Sequence, residues 1–182
     1  MVSQLDIASR ASHTLEPLPS PQRVDGLVQV FTCTQRDFLA DVMAQAMRIA
    51  GQGTPVLMVQ FLKGGIGQGC DRPIHLVQNL DWIRCGLSRV IDAGPLTEAE
   101  TATIRAAWEH VCATVQAQTY DMVVLDELSL AISLGVIRTE EVVEFLRDRP
   151  SYTDIILTGP QMPDALLDAA DRITEIRRHR HL

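Results

Sequence analysis

The chain has 182 residues, of which 46% are hydrophobic and only 4% aromatic, and its formal net charge is −7. This length is typical of a single domain with a full hydrophobic core. The acidic balance argues against binding along a nucleic-acid backbone, which requires a basic surface, and the scarcity of aromatic residues argues against a stacking platform for single strands. We therefore expect no nucleic-acid partner.

The four cysteines, Cys33, Cys70, Cys85 and Cys112, are scattered and form no CxxC pair. A zinc site requires clustered ligands, and a secreted disulfide framework is normally shorter and denser, so we interpret them as idle thiols in a reducing compartment. The sequence has no signal-peptide pattern and no apolar run of membrane-spanning length. These features predict a cytoplasmic protein without a membrane partner.

The first 25 residues contain Pro17, Pro19 and Pro21 in alternation, which favours extended backbone. We predict that residues 1–25 form a flexible arm, either disordered or lying on a neighbouring subunit. Residues 26–182 are then expected to form a single domain.

Within this domain, apolar strand patterns alternate with helical ones. Residues 74–92 contain one or two short strands whose register the sequence does not give. The alternation predicts an α/β fold: a three-layer, mostly parallel sheet with helices on both faces. The predicted strands are 27–32, 55–61, 120–126, 154–159 and 172–176, and the predicted helices are 37–50, 97–118, 127–135, 139–149 and 162–170.

Two carboxylates, Asp126 and Glu127, come at the end of a strand that has four apolar residues in a row, Met122-Val123-Val124-Leu125. Ligands of open α/β sheets bind beyond the carboxyl ends of the strands, and an apolar strand that ends in Asp is also how P-loop nucleotide-binding proteins hold Mg²⁺. The alternative is that Asp126 only caps the following helix through a backbone N–H. The stretch by itself leaves both interpretations open.

Several stretches, in one consistent order over residues 27–178, resemble the P-loop corrinoid adenosyltransferases of cobalamin biosynthesis. No single stretch is specific, but the ordered set is. The matching residues are Val28-Gln29-Val30-Phe31-Thr32, Arg48-Ile49-Ala50-Gly51-Gln52-Gly53, Val59-Gln60-Phe61-Leu62-Lys63-Gly64, Ala106-Ala107-Trp108, Tyr120-Asp121-Met122-Val123-Val124-Leu125-Asp126-Glu127-Leu128-Ser129-Leu130-Ala131, Glu140-Glu141-Val142, Arg147-Asp148-Arg149-Pro150, Leu157-Thr158-Gly159 and Ala169-Ala170-Asp171-Arg172-Ile173-Thr174-Glu175.

This resemblance implies transfer of the 5′-deoxyadenosyl group of ATP to a reduced cobalt(I) corrinoid, with release of triphosphate. It also implies Mg-ATP and corrinoid as cofactor and substrate, and a homodimer. Carried onto this sequence, it implies Glu127 as a catalytic residue and Asp126 as a Mg²⁺ ligand. It also implies Gln60, Lys63, Thr158 and Glu175 as ligand-binding residues. Arg36 is a nearby cation that could contact a phosphate.

Structural roles compete with two of these expectations. Lys63 lies next to Gly64-Gly65 in a glycine-rich loop, where it could meet an anion or simply be a solvated lysine. Glu127 could bind metal, or it could pair with a cation from another strand end.

The phosphate loop of the family is replaced in this chain. The family has Gly-Asn-Gly-Lys-Gly-Lys-Thr-Thr, whereas the ungapped alignment gives Cys33-Thr34-Gln35-Arg36-Asp37-Phe38-Leu39-Ala40, with a phenylalanine at the lysine position and a leucine at the hydroxyl position. Glycines let backbone N–H groups cradle phosphates, the lysine neutralises them and the hydroxyl holds Mg²⁺. Losing three charge-assisted hydrogen bonds, each worth about 1.5–3 kcal/mol, weakens binding by on the order of 10³-fold or more.

The chain departs from the family sequence at two further places where the resemblance implies ligand binding. The family's Gly-Phe-Thr-Trp segment, associated with the corrinoid side, is replaced around residues 85–89, and Pro160 stands after Thr158-Gly159 where the family has arginine. The sequence therefore predicts a corrinoid adenosyltransferase-like protein with lost or strongly reduced adenosyl transfer, which holds a corrinoid, another anion or a protein partner. The alternative is an active, divergent ATP:corrinoid adenosyltransferase. An unrelated P-loop ATPase is disfavoured by the same replaced loop.

Overall fold

The computed structural model describes residues 24–34, 36, 40–64, 69–91 and 94–177. The predicted arm (apart from residues 24 and 25), the basic tail after Arg177 and residues 35 and 37–39 of the replaced phosphate loop lie outside these ranges. The strands are β1 (Val28–Cys33), β2 (Val56–Gln60), β3 (Ile74–Val77), β4 (Leu80–Arg84), β5 (Met122–Asp126), β6 (Asp154–Pro160) and β7 (Arg172–Ile176). The helices are α1 (Ala40–Gly51), α2 (Glu98–Gln116), α3 (Leu128–Ser133), α4 (Thr139–Asp148) and α5 (Asp164–Asp168).

The described strands form one sheet in the order β3-β4-β2-β5-β6-β1-β7. Every neighbouring pair is parallel except β3 and β4, which form an antiparallel hairpin. The predicted α/β fold with a mostly parallel sheet is confirmed. The central strands β2 and β5 are buried at every position, as expected of parallel strands covered on both faces.

Helices pack on both faces of the sheet, but unequally. Helix α1 covers one face with Val42, Ala46 and Ala50. Helices α2 to α5 belong to the larger core on the opposite face, through residues such as Trp108 of α2 and Phe145 of α4. Because side chains alternate along a strand, the inner strands β1, β2, β4, β5 and β6 contribute residues to both cores.

Most element boundaries agree with prediction to within one or two residues. The Thr97-Glu98-Ala99-Glu100 segment forms a capping box at the start of α2, since Thr97 Oγ1 accepts the Glu100 N–H and a Glu100 carboxylate oxygen accepts the Thr97 N–H. Gly51 was expected to follow the first helix but is its last residue. The hairpin resolves the register of residues 74–84, which local patterning could not give because it depends on β2, a partner distant in sequence.

Among the described residues, no helix combines the length and apolar character needed to cross a membrane.

Candidate functional site

A row of polar side chains crosses the carboxyl edge of the sheet on the face that α1 covers. Gln60 at the end of β2 is in register with Arg84 of β4 on one side and with Asp126 of β5 on the other. Thr158 of β6 comes next, because Leu125 and Leu157 are paired one position earlier. Parallel pairing therefore brings together residues that are far apart in sequence.

Asp126 is the centre of this row. Its Oδ1 accepts a hydrogen bond from Thr158 Oγ1 at 2.7 Å. Its Oδ2 accepts from Gln60 Nε2 at 2.7 Å and from Lys63 Nζ at 2.8 Å. Helix α3 begins with no side-chain cap. The Asp126 side chain thus bonds sideways across the sheet, contrary to the alternative in which it caps the next helix.

Glu127 is held by Arg36, which follows β1. The Arg36 guanidinium donates from Nε to Glu127 Oε1 and from Nη2 to Oε2, both at 2.6 Å, in a bidentate pair. The Glu127 side chain is only 3% exposed, and Lys63 Nζ lies 3.8 Å from its Oε1. Of the two roles left open for Glu127, pairing with a cation from another strand end is therefore the arrangement in this structure.

The backbone under these carboxylates is strained. Glu127 has φ of 62°, in the left-handed region that is unfavourable for a residue with a side chain. Its N–H donates to Thr158 Oγ1 at 3.0 Å, so one hydroxyl holds both the strained peptide and Asp126. The next residue of β6, Gly159, has φ of 137°, and a Cβ there would lie 2.1 Å from Ser129 Oγ.

Arg36 also fastens the segment that follows β4. Its Nη1 donates to the carbonyl oxygen of Ile91 at 2.5 Å, and the Ile91 N–H donates to Leu62 O at 2.9 Å. In the same segment, Arg89 donates from Nε to Glu100 Oε1 at 2.7 Å. The Arg89 hydrogen bonds, followed by that from the Thr97 N–H, lower the pKa of Glu100 to about 2.

Two residues of the edge, Trp82 and Arg84, were not singled out from the sequence. Trp82 Nε1 and Arg84 Nε both donate to Gln60 Oε1, at 3.0 and 2.9 Å, and the Arg84 guanidinium carbon lies 4.7 Å from the centre of the Trp82 ring. Alternation along β4 could have placed both side chains on one face. Their contact with Gln60 required the register with β2.

Six of the seven predicted site residues lie together. They are Arg36, Gln60, Lys63, Asp126, Glu127 and Thr158. The seventh, Glu175, lies on the edge strand β7, is exposed, and pairs with Arg177 at 2.7 Å. That hydrogen bond lowers the pKa of Glu175. Among the described residues, no hydrogen bond or ion pair joins Glu175 to the other six.

The arrangement does not fit a Mg²⁺ ion as it stands. All four carboxylate oxygens of Asp126 and Glu127 accept hydrogen bonds from the protein, three of them from the cations Arg36 and Lys63. Mg²⁺ is bound by oxygen ligands and needs a nearly ideal octahedral geometry, so it would have to displace one of these cations. Among the described residues, no group of three or more His, Cys, Asp or Glu side chains is placed to hold a metal ion.

Comparison with known proteins finds both a matching family model and individual relatives. The family model described as ATP:corrinoid adenosyltransferase BtuR/CobO/CobP matches residues 24–182. The corrinoid adenosyltransferase of Escherichia coli (strain K12) is 30% identical over 156 residues, covering 86% of this chain and 79% of the relative. Corrinoid adenosyltransferase CobA of Salmonella typhimurium (strain LT2) is 30% identical over 165 residues, covering 88% of this chain and 81% of the relative.

A third relative is longer. "Uncharacterized protein all2391" of Nostoc sp. (strain PCC 7120) is 28% identical over 192 residues, which cover 97% of this chain but only 50% of the relative. The chain thus spans about half the length of that protein. The family match extends over most of the sequence, and two relatives at 30% identity are aligned over more than two thirds of it. This chain belongs to the ATP:corrinoid adenosyltransferase BtuR/CobO/CobP family.

Proposed function

We propose that this chain is a corrinoid-binding member of its family in which adenosyl transfer from ATP is lost or strongly reduced. The observation that carries the proposal is the strand-edge cluster, defined as Arg36, Lys63, Asp126 and Glu127, in which two cations neutralise two carboxylates. Family membership supplies the expected ligands, ATP and a corrinoid. The contacts within the cluster argue against ATP as a ligand of this chain.

Charge balance is the physical reason why we expect Mg-ATP to bind weakly. Mg-triphosphate binding needs carboxylates that face a metal ion and cations that face phosphates. In this chain the two kinds of charge face each other at 2.6 and 2.8 Å. Binding the nucleotide would first require these largely buried pairs to separate, and separating a buried pair leaves uncompensated charge at a cost of several kcal/mol. The replaced phosphate loop adds no glycine cradle that would offset this cost.

The residue roles follow from the same contacts. We assign Asp126 and Glu127 to holding the edge together, with Gln60 and Thr158 orienting Asp126. Lys63 pairs with Asp126, the carboxylate that a metal would need, and Arg36 pairs with the neighbouring Glu127. In the active alternative, Asp126 would hold Mg²⁺ and Glu127 would be catalytic after both cations had moved away.

The finer features of the proposal come from the sequence and the family. We propose a single domain over residues 26–182 preceded by a flexible arm, a homodimer, and a cytoplasmic location. Light scattering of the full chain would measure the oligomeric state directly.

An adenosyl-transfer assay tests the proposal. The chain is mixed with Mg-ATP and chemically reduced cobalamin, and the light-sensitive adenosylated product and free triphosphate are measured, with the Escherichia coli relative as the positive control. We expect product formation at least about 10³-fold slower than in the control, in line with three missing charge-assisted contacts. Product formation at a comparable rate would overturn the proposal and establish the active alternative.

A thermal-melting series with cobalamin alone tests whether the chain binds a corrinoid. A ligand at 100 times its Kd adds about 2.7 kcal/mol to the free energy of unfolding of the native state. We expect cobalamin to raise the melting temperature. Absence of any shift at saturating cobalamin would contradict corrinoid binding.

A further inference from the structure

Arg84 differs from the other cations described at the carboxyl edge of the sheet. Arg36 faces Glu127, Lys63 faces Asp126, and Arg89 faces Glu100. Arg84 donates one hydrogen bond, from Nε to the neutral amide oxygen of Gln60. Within the residues that the structure describes, its guanidinium has no carboxylate partner. Among the described cations of this edge, Arg84 therefore carries a positive charge that no carboxylate balances.

The guanidinium is also held in a fixed orientation. Its carbon lies 4.7 Å from the centre of the Trp82 ring, and its Nε is tied to Gln60 Oε1. Trp82 Nε1 donates to the same oxygen at 3.0 Å, so the two neighbours of Arg84, Trp82 and Gln60, are bonded to each other. These contacts leave the two terminal nitrogens of the fork without a partner among the described residues. A preorganised guanidinium fork matches the geometry of a carboxylate or phosphate group.

The place of Arg84 in the sheet connects it to the proposed ligand site. It occupies the same lateral row and the same face as Gln60 and Asp126. Two strand spacings separate it from Asp126, which is about 10 Å at roughly 4.8 Å per strand. A ligand at the strand-edge cluster could therefore place a charged group on Arg84 while its body lies over Gln60.

We propose that Arg84, stacked on Trp82, binds an oxyanion group of the ligand of this site, either a phosphate or a carboxylate. The inference rests on the proposed function only in assigning that oxyanion to the ligand. Arg84 acts here as a binding and specificity residue. Trp82 and Gln60 are positioning residues that hold its guanidinium plane.

The two tryptophans of the chain provide a test with an internal control. Trp82 contacts Arg84, whereas Trp108 is 3% exposed in the core on the opposite face of the sheet. In ¹⁵N-labelled full-length protein, the two indole N–H signals are assigned with Trp82→Phe. Inorganic phosphate, tripolyphosphate and citrate are then titrated separately at an ionic strength held constant with chloride.

We expect a saturable shift of the Trp82 indole signal and no shift of the Trp108 signal. Arg84→Gln should weaken the apparent Kd about tenfold or more, as expected for loss of a bidentate charged contact. Arg84→Lys keeps the charge but not the fork. Its apparent Kd should lie between those of the unaltered chain and Arg84→Gln. Arg48→Gln, at an exposed arginine of α1, is the matched control and should bind like the unaltered chain.

The titrants separate the two ligand chemistries. Saturation with phosphate or tripolyphosphate but not with citrate identifies a phosphate group as the ligand's oxyanion, and the reverse identifies a carboxylate. A Trp82 shift that is the same in Arg84→Gln, or the absence of saturation with all three anions, would overturn the inference. Since the experiment involves neither ATP nor cobalt chemistry, its failure would leave the proposed function standing, and failure of the transfer assay would leave this result unaffected.

Discussion

Two clusters of basic and acidic residues in this molecule differ chiefly in burial. In the strand-edge cluster, the side chains of Asp126 and Glu127 are 9% and 3% exposed. In a second group, the helix-surface cluster of Arg105, Arg138 and Glu141 between α2 and α4, the Glu141 side chain is 16% exposed. The two arginine side chains there are 39% and 69% exposed, against 23% and 16% for Arg36 and Lys63 of the strand-edge cluster. Both contain ion pairs with N···O distances of 2.5 to 2.8 Å, so distance alone does not distinguish them.

The difference lies in what happens when one partner is removed. Water solvates an orphaned charge on the helix surface, so an exposed ion pair contributes about 0–1 kcal/mol. At the strand edge, a carboxylate that loses its cation stays buried and uncompensated. Charge balance is therefore optional between α2 and α4 but required at the carboxyl edge of the sheet.

The largest expected effect comes from breaking the buried pair. Arg36→Met should lower the free energy of unfolding by about 3–5 kcal/mol, the usual cost of leaving one buried partner alone. The value should fall near the lower limit because Lys63 Nζ, 3.8 Å from Glu127 Oε1, partly replaces the lost charge. Urea unfolding monitored by circular dichroism measures it.

The matched control for Arg36→Met is Arg138→Met on the helix surface, for which we expect a loss of about 1 kcal/mol or less. Combining Arg36→Met with Glu127→Gln removes both charges and should restore much of the lost stability. Equal losses for Arg36→Met and Arg138→Met would show that burial does not distinguish the two clusters.

A smaller effect is expected from the backbone beneath the strand-edge cluster. Gly159→Ala places a Cβ 2.1 Å from Ser129 Oγ at a φ of 137°, so it should destabilise the chain by about 1–3 kcal/mol. Gly51→Ala at the end of α1 has no neighbour within 4 Å and should be neutral or stabilising by up to about 1 kcal/mol. Thermal melting of both variants makes the comparison, and a tolerated Gly159→Ala would contradict the strained geometry.

The smallest effect is a pH dependence at the exposed margin of the site. Arg89 holds the pKa of Glu100 at about 2, below its ordinary 4.5. A lowered carboxylate pKa contributes stability above about pH 4.5, and that contribution is lost as the pH falls toward 2. The difference in melting temperature between the unaltered chain and Arg89→Gln should therefore shrink over this range. A difference that does not change with pH would exclude the ion pair as its cause.

Local sequence patterns predicted the elements of the fold well. The apolar run of β5, the capping box of α2 and the alternation of strands with helices each depend on neighbours in sequence. Strand-end chemistry also made Asp126 and Glu127 candidates, because carboxyl ends of parallel strands meet at one edge. Six of the seven candidate residues are together there.

The pairing of charges could not be predicted in the same way. The bond from Arg36 to Glu127 joins residues 91 positions apart, and that from Lys63 to Asp126 joins residues 63 positions apart. Their partners depend on strand order, which the sequence left open. Glu175 is the opposite case. The family resemblance implied it as a site residue, but it lies on β7 at the margin of the sheet, where it pairs with Arg177.

The central claim is that Arg36 and Lys63 occupy the carboxylates that a nucleotide-bound metal would need. Calorimetric titration of Mg-ATP into the full chain, with the Escherichia coli relative measured alongside, tests it most directly. We predict no saturable heat of binding at nucleotide concentrations that saturate the relative. One-to-one binding with an affinity close to that of the relative would contradict the claim.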